Sequence, residues 1–272
     1  MLKEAYELLK EQYEACCQIV DKDEYCLHFA KEKWRHSLQV AGAGNYLLRH
    51  MENLKDKSAE YIELVKTAVL LHDVCRFTEI VNFFKGKKGY DHGVAGGELL
   101  KNMARFADVR IWLPIKHHGH MIEELYADAE YMNISDKELQ KEVQEICFII
   151  RDADKIANLH MLVEEPNMRS LFLGEIKENP EENSIITDEA KTEALKGIVV
   201  GRKHRISIAS SVVTYLSWYA DINYRAAIDF CQRLGATDKL LAIFQQYCTD
   251  AEFSNRYTEV IRKMLKEKAY LS

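Results

Sequence analysis

Proline is scarce enough in this sequence to constrain the fold class. The 272 residues include three prolines and twelve glycines, so long stretches carry no residue that interrupts a helix. Hydrophobic residues make up 47% of the chain and charged residues 29%, which is ordinary for a globular protein that buries a substantial core. We therefore expect a nearly all-α protein.

Charge and apolar patterning indicate which partners to expect. The formal charge of −6 argues against general nucleic-acid binding, which needs an excess of Lys and Arg. No apolar run approaches the roughly twenty residues that cross a bilayer, and the acidic, amphipathic N-terminus is unlike a secretory signal. Seven cysteines without CxxC spacing are typical of a reducing compartment. The sequence predicts a cytoplasmic protein without a membrane partner, and it leaves a homodimer open.

Helical periodicity divides the chain into three predicted parts. Residues 1–162 form a helical core with its N-terminal helices, in which residues 78–91 are predicted to be a loop because of their glycines and lysines. Residues 163–187 hold two of the prolines and many acidic residues, and they are expected to form an extended loop or lid. Residues 188–272 are predicted to be a helical C-terminal region packed on the core.

One stretch of the core joins an apolar helix to a polar pair. Val65 and Val69 lie on one face of a helix predicted for residues 59–73, and the same face ends in His72 and Asp73. An unpaired polar group against a core costs a few kcal/mol, so the pair should have a partner. A histidine near a helix C-terminus, followed by an aspartate that begins a turn, is the simpler interpretation of the dipeptide alone.

Other predicted helices supply side chains that favour a site. His36 lies on an apolar stripe of its own helix, and Asp154 is the only charge on the stripe of the helix at residues 141–162. His92 begins a helix behind an Asp N-cap, and His117 and His118 stand beside a glycine turn. Imidazole nitrogens and carboxylate oxygens from several helices can coordinate a divalent metal ion.

Two coordination shells can be drawn from these residues, with Asp73 between them. The first shell comprises His36, His72, Asp73 and Asp154. His92 and either His117 or His118 could hold a second ion that Asp73 bridges. Two neighbouring ions produce a hydroxide near neutral pH and stabilise charge on a phosphoryl group. The expected cofactor is one or two divalent ions, drawn from Mn, Fe, Zn, Co, Ni and Mg.

The order of these residues resembles that of the HD-domain metal-dependent phosphohydrolases. The resemblance covers roughly residues 30–162 and implies an all-α HD-domain helical bundle, here with additional C-terminal helices. It also implies that His36, His72, Asp73 and Asp154 bind one metal ion, and that His92 and His117 or His118 match the added histidines of binuclear members. The run His72-Asp73-Val74-Cys75-Arg76-Phe77 is similar to a less characterised bacterial subgroup.

These residues predict a metal-dependent phosphohydrolase that acts on a phosphomonoester or phosphoanhydride, with a nucleotide as the expected small phosphorylated substrate. Asp73 is the predicted catalytic residue, which orients the attacking hydroxide. Arg76, Lys116 and Lys155 are the predicted substrate-binding residues, because a cation there would stabilise developing negative charge.

Two other functions remain open on the sequence. The same ligand order resembles that of di-iron oxygenases such as the inositol oxygenases, and mixed nitrogen and oxygen ligands suit iron as well as manganese or zinc. A non-catalytic nucleotide sensor could keep the helical core without turnover. Phosphate release without oxygen favours hydrolysis over the first alternative, and any turnover excludes the second.

Overall fold

The structure is a computed structural model that describes residues 1–166 and 169–270. Within those residues the regular secondary structure is helical and no strand is present, which confirms the predicted all-α class. The α-helices in chain order are α1 (Leu2–Ile19), α2 (Glu24–His50), α3 (Ala59–Leu71), α4 (Arg76–Phe84), α5 (His92–Lys101), α6 (Val109–His117), α7 (Ile122–Ala127), α8 (Ala129–Met132), α9 (Lys137–Glu164), α10 (Arg169–Leu173), α11 (Pro180–Asn183), α12 (Asp188–Leu195), α13 (Ile208–Ser217), α14 (Arg225–Arg233), α15 (Ala236–Tyr247) and α16 (Ala251–Lys268).

The chain folds into two compact units. The first unit is Met1–Asp154 and the second begins at Lys155, so the division falls inside α9. The sequence placed a boundary after residue 162, where the composition turns polar and proline appears. A division inside a continuous helix has no such signal, because the helical periodicity runs through it. The predicted loop at 163–187 contains the short helices α10 and α11.

Helix α3 is the central helix of the first unit. Ser58 caps its N-terminus by accepting a hydrogen bond from the backbone N–H of Tyr61. From Leu64 to Leu71 every residue except Lys66 is buried. A helix that is apolar on all sides must be surrounded by other elements. Its C-terminus, where His72 and Asp73 follow, is therefore inside the unit.

Helices α5 and α6 approach each other unusually closely. A Cβ atom at Gly97 would meet the Lys116 Cβ at 2.7 Å and the Trp112 carbonyl oxygen at 3.0 Å, so only glycine fits there. Gly93, near the start of α5, faces the Lys116 carbonyl oxygen near the end of α6. This packing brings the N-terminus of α5 beside the C-terminus of α6.

The prediction of a loop at residues 78–91 is wrong for the first half of that segment. Helix α4 extends to Phe84, with Phe77 and Ile80 buried at helical spacing. The irregular segment is confined to residues after α4, where Gly86 and Gly89 adopt positive φ angles of 71° and 78°. The apolar residues before the glycines thus belong to a core helix and only the charged part is a loop.

The second unit contains a buried helix of its own, α13. All of its residues are buried, and a capping box between Ser207 and Ser210 begins it. This cap fixes the start of the helix at Ile208. Tyr257 of α16 donates a hydrogen bond from its hydroxyl to the Val213 carbonyl oxygen at 2.9 Å. Across residues 1–166 and 169–270, no helix has the length and apolarity required to cross a membrane.

Candidate metal centre

His72 stands at the C-cap of α3 with its ring fixed by the backbone. Its Nδ1–H donates to the Val69 carbonyl oxygen at 2.9 Å, which leaves the lone pair on Nε2. The side chain is fully buried, and Nε2 has no hydrogen-bond partner among the described residues. Burial lowers the pKa of His72 to about 4, because a charged ring would be desolvated. A neutral, oriented imidazole with an unused lone pair is what a metal ion requires.

Asp73 lies between two groups of histidines. Its Oδ2 is 3.7 Å from the His72 Nε2, and its Oδ1 is 3.1 Å from the His92 Nε2 and 3.6 Å from the His118 Nε2. Despite these distances, Oδ1 makes no well-oriented hydrogen bond within the described part of the chain. The ligand atoms of His36, His72 and Asp73 lie within 4.8 Å of one another, as do those of Asp73, His92 and His118. Asp73 is thus shared by two potential metal sites.

Charge around Asp73 keeps it ionised. Burial opposes ionisation, but the Arg76 guanidinium, the His72 ring and the Lys33 ammonium hold the pKa of Asp73 well below its usual range. The Arg76 Nε is 3.4 Å from Oδ1, and the Lys33 Nζ is 3.7 Å from Oδ2. The carboxylate is therefore available to a cation at every ordinary pH.

Asp154 and His36 complete the first group of side chains. Asp154 comes from α9 and His36 from α2, and the His36 Nε2 lies 2.9 Å from the Asp154 Oδ1. Burial opposes ionisation of Asp154, but this hydrogen bond and the neighbouring rings of His36 and His72 lower its pKa far more. The structure therefore brings together two imidazoles and two carboxylates, although His36 and Asp154 are 118 residues apart in the sequence.

His118 and His92 form the second group with Asp73. His118 is the C-cap residue of α6, where its Nδ1–H donates to the Ile115 carbonyl oxygen at 2.7 Å and Nε2 faces inward. Its Nε2 is 3.4 Å from the Nε2 of His92, the first residue of α5. The buried Arg151 of α9 donates to the His118 carbonyl oxygen at 3.2 Å and so fixes the turn after α6.

Of the two alternatives His117 and His118, the structure brings only His118 to the cluster. The His117 Nε2 lies 2.7 Å from the Asp128 Oδ2, because consecutive residues at a helix end project in different directions. The Lys116 ammonium faces Asp128 at 2.9 Å and Glu130 at 3.2 Å. Lys155 belongs to the second unit, where it pairs with Asp221 at 2.8 Å. The roles predicted for His117, Lys116 and Lys155 stay predictions without support from these contacts.

Two charged residues beside the cluster were missed by the sequence reasoning. Lys33 stands one helical turn before His36 and is 3.7 Å from Asp73. Glu79 stands one turn after Arg76, pairs with its guanidinium, and lies 3.3 Å from the His92 Nδ1. The i, i+3 spacing to a predicted site residue was the available signal in both cases.

Asp128 should stabilise the segment that carries His117 and His118. Burial opposes its ionisation, but hydrogen bonds from Lys116 and His117 lower the pKa of Asp128 from 3.8 to about 2. Such a shift corresponds to about 2 kcal/mol, present above pH of about 4 and lost as the pH falls toward 2. We expect Asp128→Asn to lower the free energy of unfolding by about 2 kcal/mol at pH 7 and by roughly half as much at pH 3.

Urea denaturation at the two pH values measures this difference. Asp136→Asn is the matched control, since Asp136 also accepts backbone hydrogen bonds, from Glu138 at 2.9 Å and Leu139 at 3.3 Å, but is exposed. Asn replaces either cap well, so only the ion pairs differ. Equal losses in the two variants would show that the Asp128 ion pairs contribute nothing.

Comparison with known proteins agrees with this arrangement. The family model described as HD domain matches residues 34–159. Residues 34–159 therefore match the HD domain, which belongs to a superfamily of metal-dependent hydrolases that also has non-hydrolytic members. The six clustered side chains, His36, His72, Asp73, His92, His118 and Asp154, all lie within the matched segment. No curated protein and no solved structure matches the chain.

Proposed function

We propose that the protein is a metal-dependent phosphohydrolase that acts on a phosphomonoester or phosphoanhydride, with a nucleotide as the first substrate class to test. One observation carries the proposal. The His72 Nε2 and the Asp73 Oδ1 are buried without hydrogen bonds in the described structure, inside an HD domain and among further imidazoles. A buried nitrogen without a hydrogen bond costs free energy, and a divalent cation would satisfy the His72 Nε2. The same cation would pair with the Asp73 carboxylate, whose Oδ1 has the Arg76 guanidinium and two imidazoles nearby but no well-oriented hydrogen bond.

The donor atoms fit a transition-metal ion. His36, His72, Asp73 and Asp154 would hold the first ion, and their mixture of imidazole and carboxylate suits Mn, Fe, Zn, Co or Ni better than Mg. An ion bound there supplies Lewis-acid activation of a phosphoryl oxygen and lowers the pKa of bound water. The protein contributes neutral His72 and ionised Asp73, whose protonation states already suit a cation.

The second group should bind its ion more weakly than the first. Burial alone would lower the pKa of His92, but Asp73 and Glu79 outweigh it and raise that pKa, so a metal ion must displace a proton. The Arg76 Nη2 is also 2.8 Å from the His92 Nε2, so a second cation would approach a guanidinium. We expect the group containing His72 to load first.

The positions of Asp73 and Arg76 support hydrolysis as the proposed reaction. The ionised Asp73 would accept a hydrogen bond from the attacking water and orient it toward phosphorus. Arg76 is 17% exposed, with its guanidinium beside Asp73, so it can donate to phosphoryl oxygens at the edge of the cluster. Lys116 and Lys155 have carboxylate partners outside the cluster, which makes Arg76 the best-supported anion-binding residue.

Arg76→Lys should reduce kcat/KM by about 10- to 100-fold, because an ammonium cannot reproduce the planar, multidentate guanidinium. The measurement is steady-state hydrolysis of the best substrate in a phosphate-ester panel. Arg110→Lys is the matched control, since Arg110 is 22% exposed in the same unit but pairs with Asp108 and Glu142. Activity equal to that of the control, with an unchanged unfolding temperature, would remove Arg76 from substrate binding.

The function itself is tested by phosphate release under anaerobic conditions. The metal-loaded full chain is incubated with nucleotides, sugar phosphates and pyrophosphate, and released phosphate is quantified. Turnover without oxygen is the expected result. Product formation only with oxygen and iron would indicate an oxygenase, and tight nucleotide binding without product would indicate a sensor. Either of those outcomes contradicts the proposal.

A further inference from the structure

A buried histidine of the second unit faces two carboxylates. His204 is 4% exposed, and its Nε2 has no hydrogen-bond partner among the described residues. That nitrogen is 3.6 Å from the Glu193 Oε2 and 3.9 Å from the Glu189 Oε2. The Glu193 Oε2 is likewise buried without a hydrogen bond there. We propose that Glu189, Glu193 and His204 bind a divalent transition-metal ion of the zinc type.

The spacing of the three ligand atoms fits one ion. They lie within 4.8 Å of one another. Zinc binds imidazole nitrogen and carboxylate oxygen at about 2.0–2.2 Å, so tetrahedral ligand atoms are about 3.3–3.6 Å apart. The two distances from the His204 Nε2 are close to this range, and small rotations of the glutamates would close the difference.

The three side chains are held by two fixed elements. Glu189 and Glu193 are one turn apart on α12, so their side chains lie on one face. The His204 Nδ1 is 3.1 Å from the Oγ1 of Thr187, the N-cap residue of α12. The hydroxyl can accept from Nδ1–H, and in that tautomer the ring is oriented with its lone pair on Nε2, as in a metal-binding histidine. An ion would therefore join α12 to the 3-10 turn Arg202–His204.

An ordinary salt bridge explains these contacts less well. A protonated ring would donate from Nε2 at about 2.7–2.9 Å to a carboxylate, whereas both distances here are longer than a hydrogen bond. Lys203 pairs with the Oε1 of Glu189 at 2.6 Å, which leaves Oε2 for the ion. Three protein ligands leave one position for water. Glu189, Glu193 and His204 all lie outside residues 34–159, so this ion would not be one of those in the HD domain.

The test is the number of zinc ions bound per chain. The full chain is stripped with chelator, equilibrated with Zn²⁺ alone, separated from free metal and analysed by elemental mass spectrometry. We expect the double variant Glu189→Gln, Glu193→Gln to bind one ion fewer than the unmodified chain. The control variant Glu181→Gln, Glu182→Gln loses two carboxylates of α11 in the same unit and should lose no zinc.

Asp73→Asn separates the two centres, because it affects the HD domain only. In that background the two glutamine substitutions should still remove one ion. Circular dichroism checks folding, and the single Glu189→Gln, at a side chain that is 60% exposed, carries the same test if the double variant misfolds. There it should weaken zinc binding by at least about tenfold. Zinc content and affinity that match the control variant would overturn the proposal and leave a solvated ion pair.

Discussion

Replacing Asp73 with Asn should abolish metal binding in the HD domain together with phosphate release. Asp73 offers one oxygen toward His72 and the other toward His92 and His118, so it is common to both ligand groups. The amide has the same shape but removes the negative charge that both ions would share. We expect kcat/KM to fall by more than about a hundredfold. Removing a residue that only hydrogen-bonds a metal ligand typically costs about 10- to 100-fold, and losing the ligand itself should cost more.

Substituting a ligand that belongs to only one group should affect only the ion of that group. His36→Asn should weaken binding of the first ion, whereas His92→Asn should weaken only the second. Asp108→Asn is the control, because it removes a charge from the same unit where Asp108 pairs with Arg110 instead. Isothermal titration with Mn²⁺ and a phosphate-release assay measure the two properties. Full metal binding and activity in Asp73→Asn would contradict the assignment.

Metal removal should destabilise the first unit, and His72 should account for the response. An ion at a hundred times its dissociation constant stabilises the folded state by about 2.7 kcal/mol. We expect chelator to lower the unfolding temperature of the unmodified chain by several degrees. His72→Leu should lose this response, because the buried Nε2 that would bind the ion is gone.

The metal-free state of the same variant gives a second, sharper expectation. Removing the partnerless Nε2 costs little, whereas losing the hydrogen bond from Nδ1–H to the Val69 carbonyl oxygen costs about 1 kcal/mol. Metal-free His72→Leu should therefore be within about 1 kcal/mol of the metal-free unmodified chain. A loss of several kcal/mol, with the Mn²⁺ response retained, would mean that His72 is a packing residue. Urea denaturation with and without chelator measures both quantities.

The helix periods in the sequence predicted much of this cluster. His36 and Asp154 are on the apolar stripes of long helices, so their position on the buried side followed from spacing alone. The N-cap at Asp91 predicted where α5 begins, and hence the place of His92. The scarcity of proline predicted the all-α class, which the structure confirms.

Other features depend on neighbours that a sequence does not specify. Whether His117 or His118 faces the cluster depends on how α6 ends, and its C-cap at His118 decides it. Lys33 and Asp128 act through carboxylates or cations on other helices, so their role needs the packing of those helices. The division between Asp154 and Lys155 could not be predicted from the sequence, since the helical periodicity of α9 continues through it.

The most direct test is X-ray diffraction of crystals grown with Mn²⁺, collected so that manganese scatters anomalously. An anomalous peak within about 2.3 Å of both the His72 Nε2 and an Asp73 carboxylate oxygen is the predicted result. His36 and Asp154 should turn toward that peak from their present contact at 2.9 Å. Absence of any peak among these side chains, in crystals of a chain that binds Mn²⁺ in solution, would contradict the assignment of this cluster as the metal centre.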